Sequence, residues 1–218
     1  LILVLVLSQI AWRNSKKFLA EVGEMDILDM AGRNQQKAWE IIESTGVIPI
    51  WESIGAKVNL VGSLSTGLLM KHRDIDLHIY TSPLSLADSF RAMAQFSENI
   101  AIKKMECVNL LHTVEACVEW HAWYQDSESE LWQIDMIHIR KGSRYDGYFE
   151  KVAERLRAVL TDETRLAILK LKYETPETEK IIGIEYYQAV IRDGVRSYAE
   201  FEVWRQEHPV TGIVEWMP

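Results

Sequence analysis

Apolar and polar positions change period several times along the chain, and the changes divide it into elements. Across residues 12–30, Trp12, Phe18, Leu19, Val22 and Met25 or Ile27 recur at helical spacing and predict an amphipathic helix. Residues 35–44 predict a second helix, with Ala38, Trp39, Ile41 and Ile42 inward and Gly46 as its stop. Residues 47–51 read as a short extended piece or a turn, and 58–61 as a strand. Residues 74–80 have period two: Ile75, Leu77 and Ile79 point one way, and Asp74, Asp76 and His78 the other. After Ser82-Pro83, residues 84–96 predict a helix with Leu86, Phe90, Met93 and Ala94 inward. The pattern then turns to strands at 107–111, 114–124 and 131–139, the last two joined by the polar, hairpin-like 125–130. In the second of these, Ala116, Val118, Trp120 and Ala122 alternate with Cys117, Glu119, His121 and Trp123. From Gly142-Ser143 onward the period is helical again, over 148–160, 163–173, 177–192 and 197–208. The expectation is an α/β (α+β) fold, a mixed β-sheet head with flanking helices at 1–142 and a helical C-terminal domain at 143–218.

Composition narrows the picture. The 218 residues suffice for one large domain or two small ones, and 48% hydrophobic content supports a full core. A formal net charge of −8 argues against a long nucleic-acid partner, which needs a clustered positive surface. Two cysteines, Cys107 and Cys117, offer neither a disulfide framework nor zinc spacing. Residues 1–7, LILVLVL, read as a packed terminal strand or helix start, or as translated sequence outside the natural protein, and are given no function. No run approaches the roughly 20 apolar residues of a membrane helix. No signal peptide is recognisable, so a cytoplasmic protein is expected.

The candidate chemistry lies in residues 61–80, VGSLSTGLLMKHRDIDLHIY. Gly62 allows a turn, Ser63 reads as the N-cap of a short helix, and Leu64, Leu68 and Leu69 read as one face of it. The helix start would offer free backbone N–H groups to phosphate. Asp74 and Asp76, at i and i+2 on one strand face, stand about 7 Å apart at their α-carbons. Like charges so placed raise each other's pKa unless a cation compensates, and a hard cation such as Mg²⁺ suits carboxylate oxygens. A lone acid, Asp135, interrupts the apolar return strand at Trp132-Gln133-Ile134-Asp135-Met136, where burial of an unpaired carboxylate is costly. It either pairs with a nearby Arg or Lys or joins the other two acids.

The stretch resembles the signature of the DNA polymerase β-like nucleotidyltransferase superfamily. That signature is an apolar residue, Gly, Gly or Ser, about ten residues, then Asp-apolar-Asp/Glu-apolar. Gly62, Ser63, Asp74, Ile75, Asp76 and Leu77 meet its defined positions. The resemblance implies a catalytic head at 1–142 and nucleotide binding by Gly62 and Ser63. It also implies a two-metal Mg²⁺ site on Asp74, Asp76 and Asp135, the third acid also accepting the attacking hydroxyl's proton. Glu115 and Glu119 are the other acids considered for that third place. Lys170 or Lys172 on a tail helix would meet the triphosphate; Ser65, Thr66, Lys71 and Arg73 are lesser phosphate contacts. His78, Tyr186 and Tyr187 read first as packed residues.

The implied function is transfer of a nucleoside monophosphate, AMP from ATP, onto a hydroxyl of a small molecule or protein, with release of pyrophosphate. Size and architecture resemble the small members that adenylylate antibiotics. A chain of this length is expected to lack the further RNA-binding domains of larger relatives. The alternative is a non-catalytic nucleotide-binding or regulatory partner module on the same fold.

Overall fold

The computed structural model describes the backbone of residues 2–218 and the side chains of residues 23–218. The side chains of residues 1–7 and of Trp12, Phe18, Leu19 and Val22 lie outside the described residues. The two helices expected at 12–30 and 35–44 are one, α1 (Ile2–Thr45). No proline interrupts them, and Gly32 is carried within the helix. Asn34, just beyond it, turns its amide to the Met70 carbonyl (2.9 Å). The inward stripe is Ala31, Ala38, Ile41 and Ile42. Of the expected pair Met25 or Ile27, Ile27 packs against the tail core and Met25 is exposed at 61%; Trp39, expected inward, is exposed at 45%. Gly46 ends α1 with φ +62, as its spacing suggested. The piece after it is not extended but a second helix, α2 (Val47–Glu52), which buries Trp51 completely. Pro49 sits in its first turn, where a missing N–H costs nothing.

The chain then runs β1 (Lys57–Leu60), α3 (Gly62–Thr66), β2 (Asp74–Tyr80), α4 (Leu86–Phe96), β3 (Ile102–Asn109), β4 (Cys117–Gln125) and β5 (Leu131–Ile139). The sheet order is β1-β2-β5-β4-β3. Only β2 and β5 pair in parallel; the other neighbours are antiparallel. Such a parallel pair needs a long crossover, which α4 and the β3–β4 hairpin provide. One sheet face is apolar, as the alternation requires: Ile75, Leu77, Ile79, Val118, Trp120, Ala122, Ile134 and Met136 pack with Trp51, Met93 and Phe96. Ser89, Ala92, Met93 and Phe96 form the buried side of α4. Phe90 and Ala94, expected there, face outward, and Phe90 meets Trp120 edge-on at 4.8 Å. The strand expected at 107–111 begins five residues earlier, because it is a polar edge strand whose side chains carry no apolar period.

The tail comprises α5 (Tyr148–Val159), α6 (Asp162–Glu174), α7 (Gly183–Tyr187), a π-helical turn at Gln188–Arg192, and α8 (Tyr198–Glu207). The helix expected over 177–192 therefore starts six residues late and changes pitch midway. Its core gathers Ile168, Leu169, Leu171, Tyr186, Val190, Phe201 and Trp204. Ala31, Leu68 and Met70 from the first half of the chain belong to the same cluster. The single face expected for Leu64, Leu68 and Leu69 is split: Leu64 and Leu69 enter the sheet core and Leu68 the tail core. The split follows from Gly67, which ends α3 with φ +75 and turns the chain. Among the described residues no helix is long and apolar enough to cross a membrane.

Candidate active site

The β1–α3 turn closes against β2. Val61 N–H donates to the Asp76 carbonyl at 3.0 Å, and Gly62 follows with φ +64. A Cβ at Gly62 would lie 1.9 Å from Asp76 Oδ2, so glycine is required both by conformation and by space. Ser63 is not the N-cap; Val61 holds that place, without a side-chain hydrogen bond. The Ser63 hydroxyl instead accepts from Lys172 Nζ at 2.7 Å and lies 3.2 Å from the Tyr187 hydroxyl. Ser65 and Thr66 donate their hydroxyls back to the Gly62 carbonyl at 2.9 and 3.1 Å, serving the helix rather than the cavity.

The three acids meet through strand register. Asp76 lies beside Asp135 across β2–β5, and Asp74 beside Gln133. On its other side Asp135 faces His121 of β4. One row thus runs Asp76, Asp135, His121 across three strands. Asp135 Oδ1 accepts from His121 Nδ1 at 2.7 Å and from Gln133 Nε2 at 2.8 Å, and Gln133 also reaches Oδ2 at 3.1 Å. Glu119 Oε2 stands 3.6 Å from His121 Nε2.

The electrostatics follow from this crowding. Burial raises the Asp74 carboxyl above its ordinary value; the Lys172 charge opposes the shift. Asp76 is raised well above its ordinary value, first by burial and then by the charges of Asp74 and Asp135, with Lys172 again opposing. The hydrogen bond to Asp135, with help from Glu119, lifts His121 to about 10. Lys172 itself is 7% exposed and, among the described residues, bonds only to neutral oxygens, those of Ser63, the Leu68 carbonyl (3.0 Å) and Tyr187 (3.5 Å).

Of the other basic candidates, Arg73 lines the same cavity but is engaged by an acid, and Lys170 and Lys71 are placed elsewhere. Lys170 pairs with Glu24 at 2.6 Å, Lys71 donates to the Thr175 carbonyl at 2.7 Å, and Arg73 pairs with Glu130. His78 is packed, as read, with Nδ1 3.2 Å from Glu150 Oε1. Glu119 lies on the open sheet face beyond His121 and not beside Asp76, and Glu115 precedes β4. A cavity of about 780 Å³ joins these groups. Gly62, Ser63, Asp74, Asp76, Asp135 and Lys172 line its polar end, and Phe149, Leu156, Ile181, Ile184 and Tyr187 its apolar walls.

No family model matches the sequence, and no curated protein matches it. Solved structures do. The chain is similar to the MgGTP-bound Cid1 poly(U) polymerase with a TM-score of 0.56 at 12% identity, over 77% of this chain and 54% of that one. It is similar to the non-canonical poly(A) polymerase complex GLD-2–GLD-3 with a TM-score of 0.52 at 9% identity, over 85% and 63%. The GLD-2/RNP-8 complex gives 0.55 at 10% identity, over 85% and 71%. The fold is that of the DNA polymerase β-like nucleotidyltransferases. The chain spans 54% and 63% of the first two of these structures.

Within the nucleotidyltransferase fold, Asp74 and Asp76 share a face of β2 and Asp135 lies beside them on β5. Among the described residues no three His, Cys, Asp or Glu side chains close into a ready-made metal cage. The donor set nevertheless fits a hard divalent ion. It is all oxygen, and burial followed by the charges of Asp74 and Asp135 raises the Asp76 carboxyl against the opposing Lys172, so a cation there would be favoured. Magnesium usually takes one or two carboxylates and completes its shell with water and substrate phosphate, so a closed protein cage is not required.

His121 and Gln133 are the site-linked residues that sequence reasoning missed. His121 was visible only as one polar position on the wet face of a strand. Its link to Asp135 depends on register between strands, which periodicity does not encode. Tyr187, first read as core, is buried and still turns its hydroxyl to Ser63.

Proposed function

We propose that this chain is a metal-dependent nucleotidyltransferase. It moves AMP from ATP onto a hydroxyl of a small molecule or protein and releases pyrophosphate. One observation carries the reading. At the polar end of the cavity the buried Lys172 ammonium hydrogen-bonds, among the described residues, to neutral oxygens and stands beside three carboxylates and the Gly62-Ser63 turn. Its charge opposes the raised Asp74 and Asp76 carboxyls only through space. A triphosphate there would pair with the ammonium directly, and a divalent cation between phosphate and carboxylates would balance the acids.

In this reading the backbone N–H groups of the Gly62-Ser63 turn and the Ser63 hydroxyl hold the terminal phosphates, and Lys172 neutralises their charge. Mg²⁺ on Asp74, Asp76 and Asp135 would supply Lewis-acid stabilisation of the charge on the attacking and leaving oxygens. The acceptor hydroxyl loses its proton to solvent water as it attacks. A bond forms from the hydroxyl oxygen to the α-phosphorus while the bond from α-phosphorus to the bridging oxygen breaks, and pyrophosphate leaves. The apolar walls around Phe149 and Tyr187 suit a base.

The similar solved structures are named as poly(A) and poly(U) polymerases, which makes an RNA 3′ hydroxyl the second acceptor to test. The net charge of −8 favours the small-molecule or protein hydroxyl.

Thermal unfolding with ATP, GTP, CTP and UTP, each with and without Mg²⁺, tests the site. A nucleotide at 100 times its dissociation constant adds about 2.7 kcal/mol. We expect a Mg²⁺-dependent shift, largest for ATP, that Asp74→Asn/Asp76→Asn loses. Absence of any shift would sink the proposal. A shift without transfer to any hydroxyl, RNA included, would favour a nucleotide-binding module.

A further inference from the structure

Asp135 is held by two donors that the transfer chemistry does not itself use: His121 across the sheet on the side away from Asp76, and Gln133 two residues back on its own strand, beside Asp74. It occupies the middle strand of the row Asp76, Asp135, His121, so its carboxylate has the other acids on one flank and an imidazole on the other. The His121 ring N–H and the Gln133 amide both donate to Oδ1, at 2.7 and 2.8 Å. A carboxylate oxygen has two lone-pair directions, so these two bonds saturate Oδ1. Oδ2 receives only the longer 3.1 Å contact from Gln133 and keeps a free lone pair. Glu119, 3.6 Å from the far nitrogen of the ring, flanks His121 from its own strand. The Nδ1–H donor is present in the neutral tautomer drawn by Asp135 and in the imidazolium alike, so the arrangement does not depend on protonation.

We propose that His121 and Gln133 are positioning residues that hold the Asp135 carboxylate through Oδ1 and so leave Oδ2 as the oxygen available to a divalent ion. The proposal rests on the nucleotidyltransferase reading of the same site. Asp74 and Asp76 have no such side-chain donors among the described residues. Among the described residues, Asp135 is therefore the one acid of the three whose orientation is set by side-chain hydrogen bonds. Without the two donors its side chain is free to turn about χ2 and swing both oxygens toward Asp76, where like charges repel.

The test uses the full chain, Mn²⁺ as the probe and a non-hydrolysable α,β-methylene ATP, with bound Mn²⁺ read by electron paramagnetic resonance. Residues that orient a metal ligand typically contribute about 10–100-fold to metal affinity. His121→Ala and Gln133→Leu should each weaken Mn²⁺ binding by about that factor, with unfolding midpoints close to wild type. His121→Gln, which keeps an N–H donor, should recover part of the loss. Wild-type Mn²⁺ affinity in both His121→Ala and Gln133→Leu, beside a loss in Asp135→Asn, overturns the positioning role and leaves the nucleotidyltransferase reading standing. So does a loss in His121→Ala that tracks a fallen midpoint and that His121→Gln does not recover. A wild type that binds no Mn²⁺ overturns both.

Discussion

At the scale of single residues, Gly62 and Asp76 constrain each other. Gly62 has φ +64, and its α-carbon faces Asp76 Oδ2 so closely that a methyl would lie 1.9 Å from that oxygen. Gly62→Ala must strain the turn, displace the carboxylate, or both. The expected loss is about 1–3 kcal/mol in urea unfolding, together with loss of the nucleotide-dependent thermal shift. Asp76 shows the reverse relation between stability and function. Its carboxyl is raised by burial and by its acidic neighbours, so the folded state binds a proton more readily than the unfolded chain does. Between the unfolded pKa and the raised folded one the native state holds more protons. Without divalent metal, the Asp76 contribution to stability therefore falls as pH rises through that window. Asp76→Asn removes the charge, so in metal-free buffer at neutral pH the variant should unfold at higher denaturant than wild type. It should also lose transfer, and a lower midpoint for it would contradict the assignment of repulsion.

At the scale of elements, α6 links the tail to the phosphate turn. Thr161 caps it by accepting from Thr164 N–H, and its buried side carries Ile168, Leu169 and Leu171 into the tail core. Lys172 follows Leu171 and reaches the Ser63 hydroxyl and Leu68 carbonyl from that helix. Replacement by methionine keeps the length of the side chain and removes the charge that opposes both the Asp74 and the Asp76 shifts, so Lys172→Met should keep the fold while raising those carboxyls further. It should abolish the ATP·Mg²⁺ shift, since the turn alone lacks a full positive charge. Scanning calorimetry with and without nucleotide reads both effects, and an undiminished nucleotide shift would remove Lys172 from the phosphate site. Lys170, two positions away, points to Glu24 instead, so Lys170→Met serves as the control on the same helix.

At the scale of the whole molecule, Glu150 joins α5 to the sheet. Its Oε1 accepts from Tyr80 at 2.7 Å and from Asn59 at 3.2 Å, and lies 3.2 Å from His78 Nδ1. Burial pushes its carboxyl up, but the hydrogen bond and charge of His78 and the bond from Tyr80 outweigh burial and hold it at about 2, against an ordinary 4.5. A depressed carboxyl stabilises the fold above the unfolded pKa and loses that contribution as pH falls through the folded one. Glu150→Gln should therefore be less stable than wild type at pH 7, and the difference should shrink as pH falls from about 4.5 towards 2. Chemical denaturation across that range checks it. A constant difference at every pH would mean that packing, not charge, links α5 to β2.

The sequence by itself determined the local parts of this protein. Period-two alternation placed β2 and β5, the buried faces of the sheet, and Asp74 and Asp76 on one side of their strand. Gly46 and Gly62 marked real turns because each backbone demand is met within a few residues. The same local view joined Leu64, Leu68 and Leu69 on one face and divided α1 in two. The tertiary structure decided what lies far apart in the chain. Asp135 comes beside Asp76 only through the parallel β2–β5 register, and His121 beside Asp135 only through β4. Lys172 rather than Lys170 reaches Ser63, 109 residues away, because the tail packs α6 against the turn after α3. Periodicity reports which way a side chain faces, whereas the identity of its neighbour across the sheet or cleft is set by register and packing of segments distant in sequence.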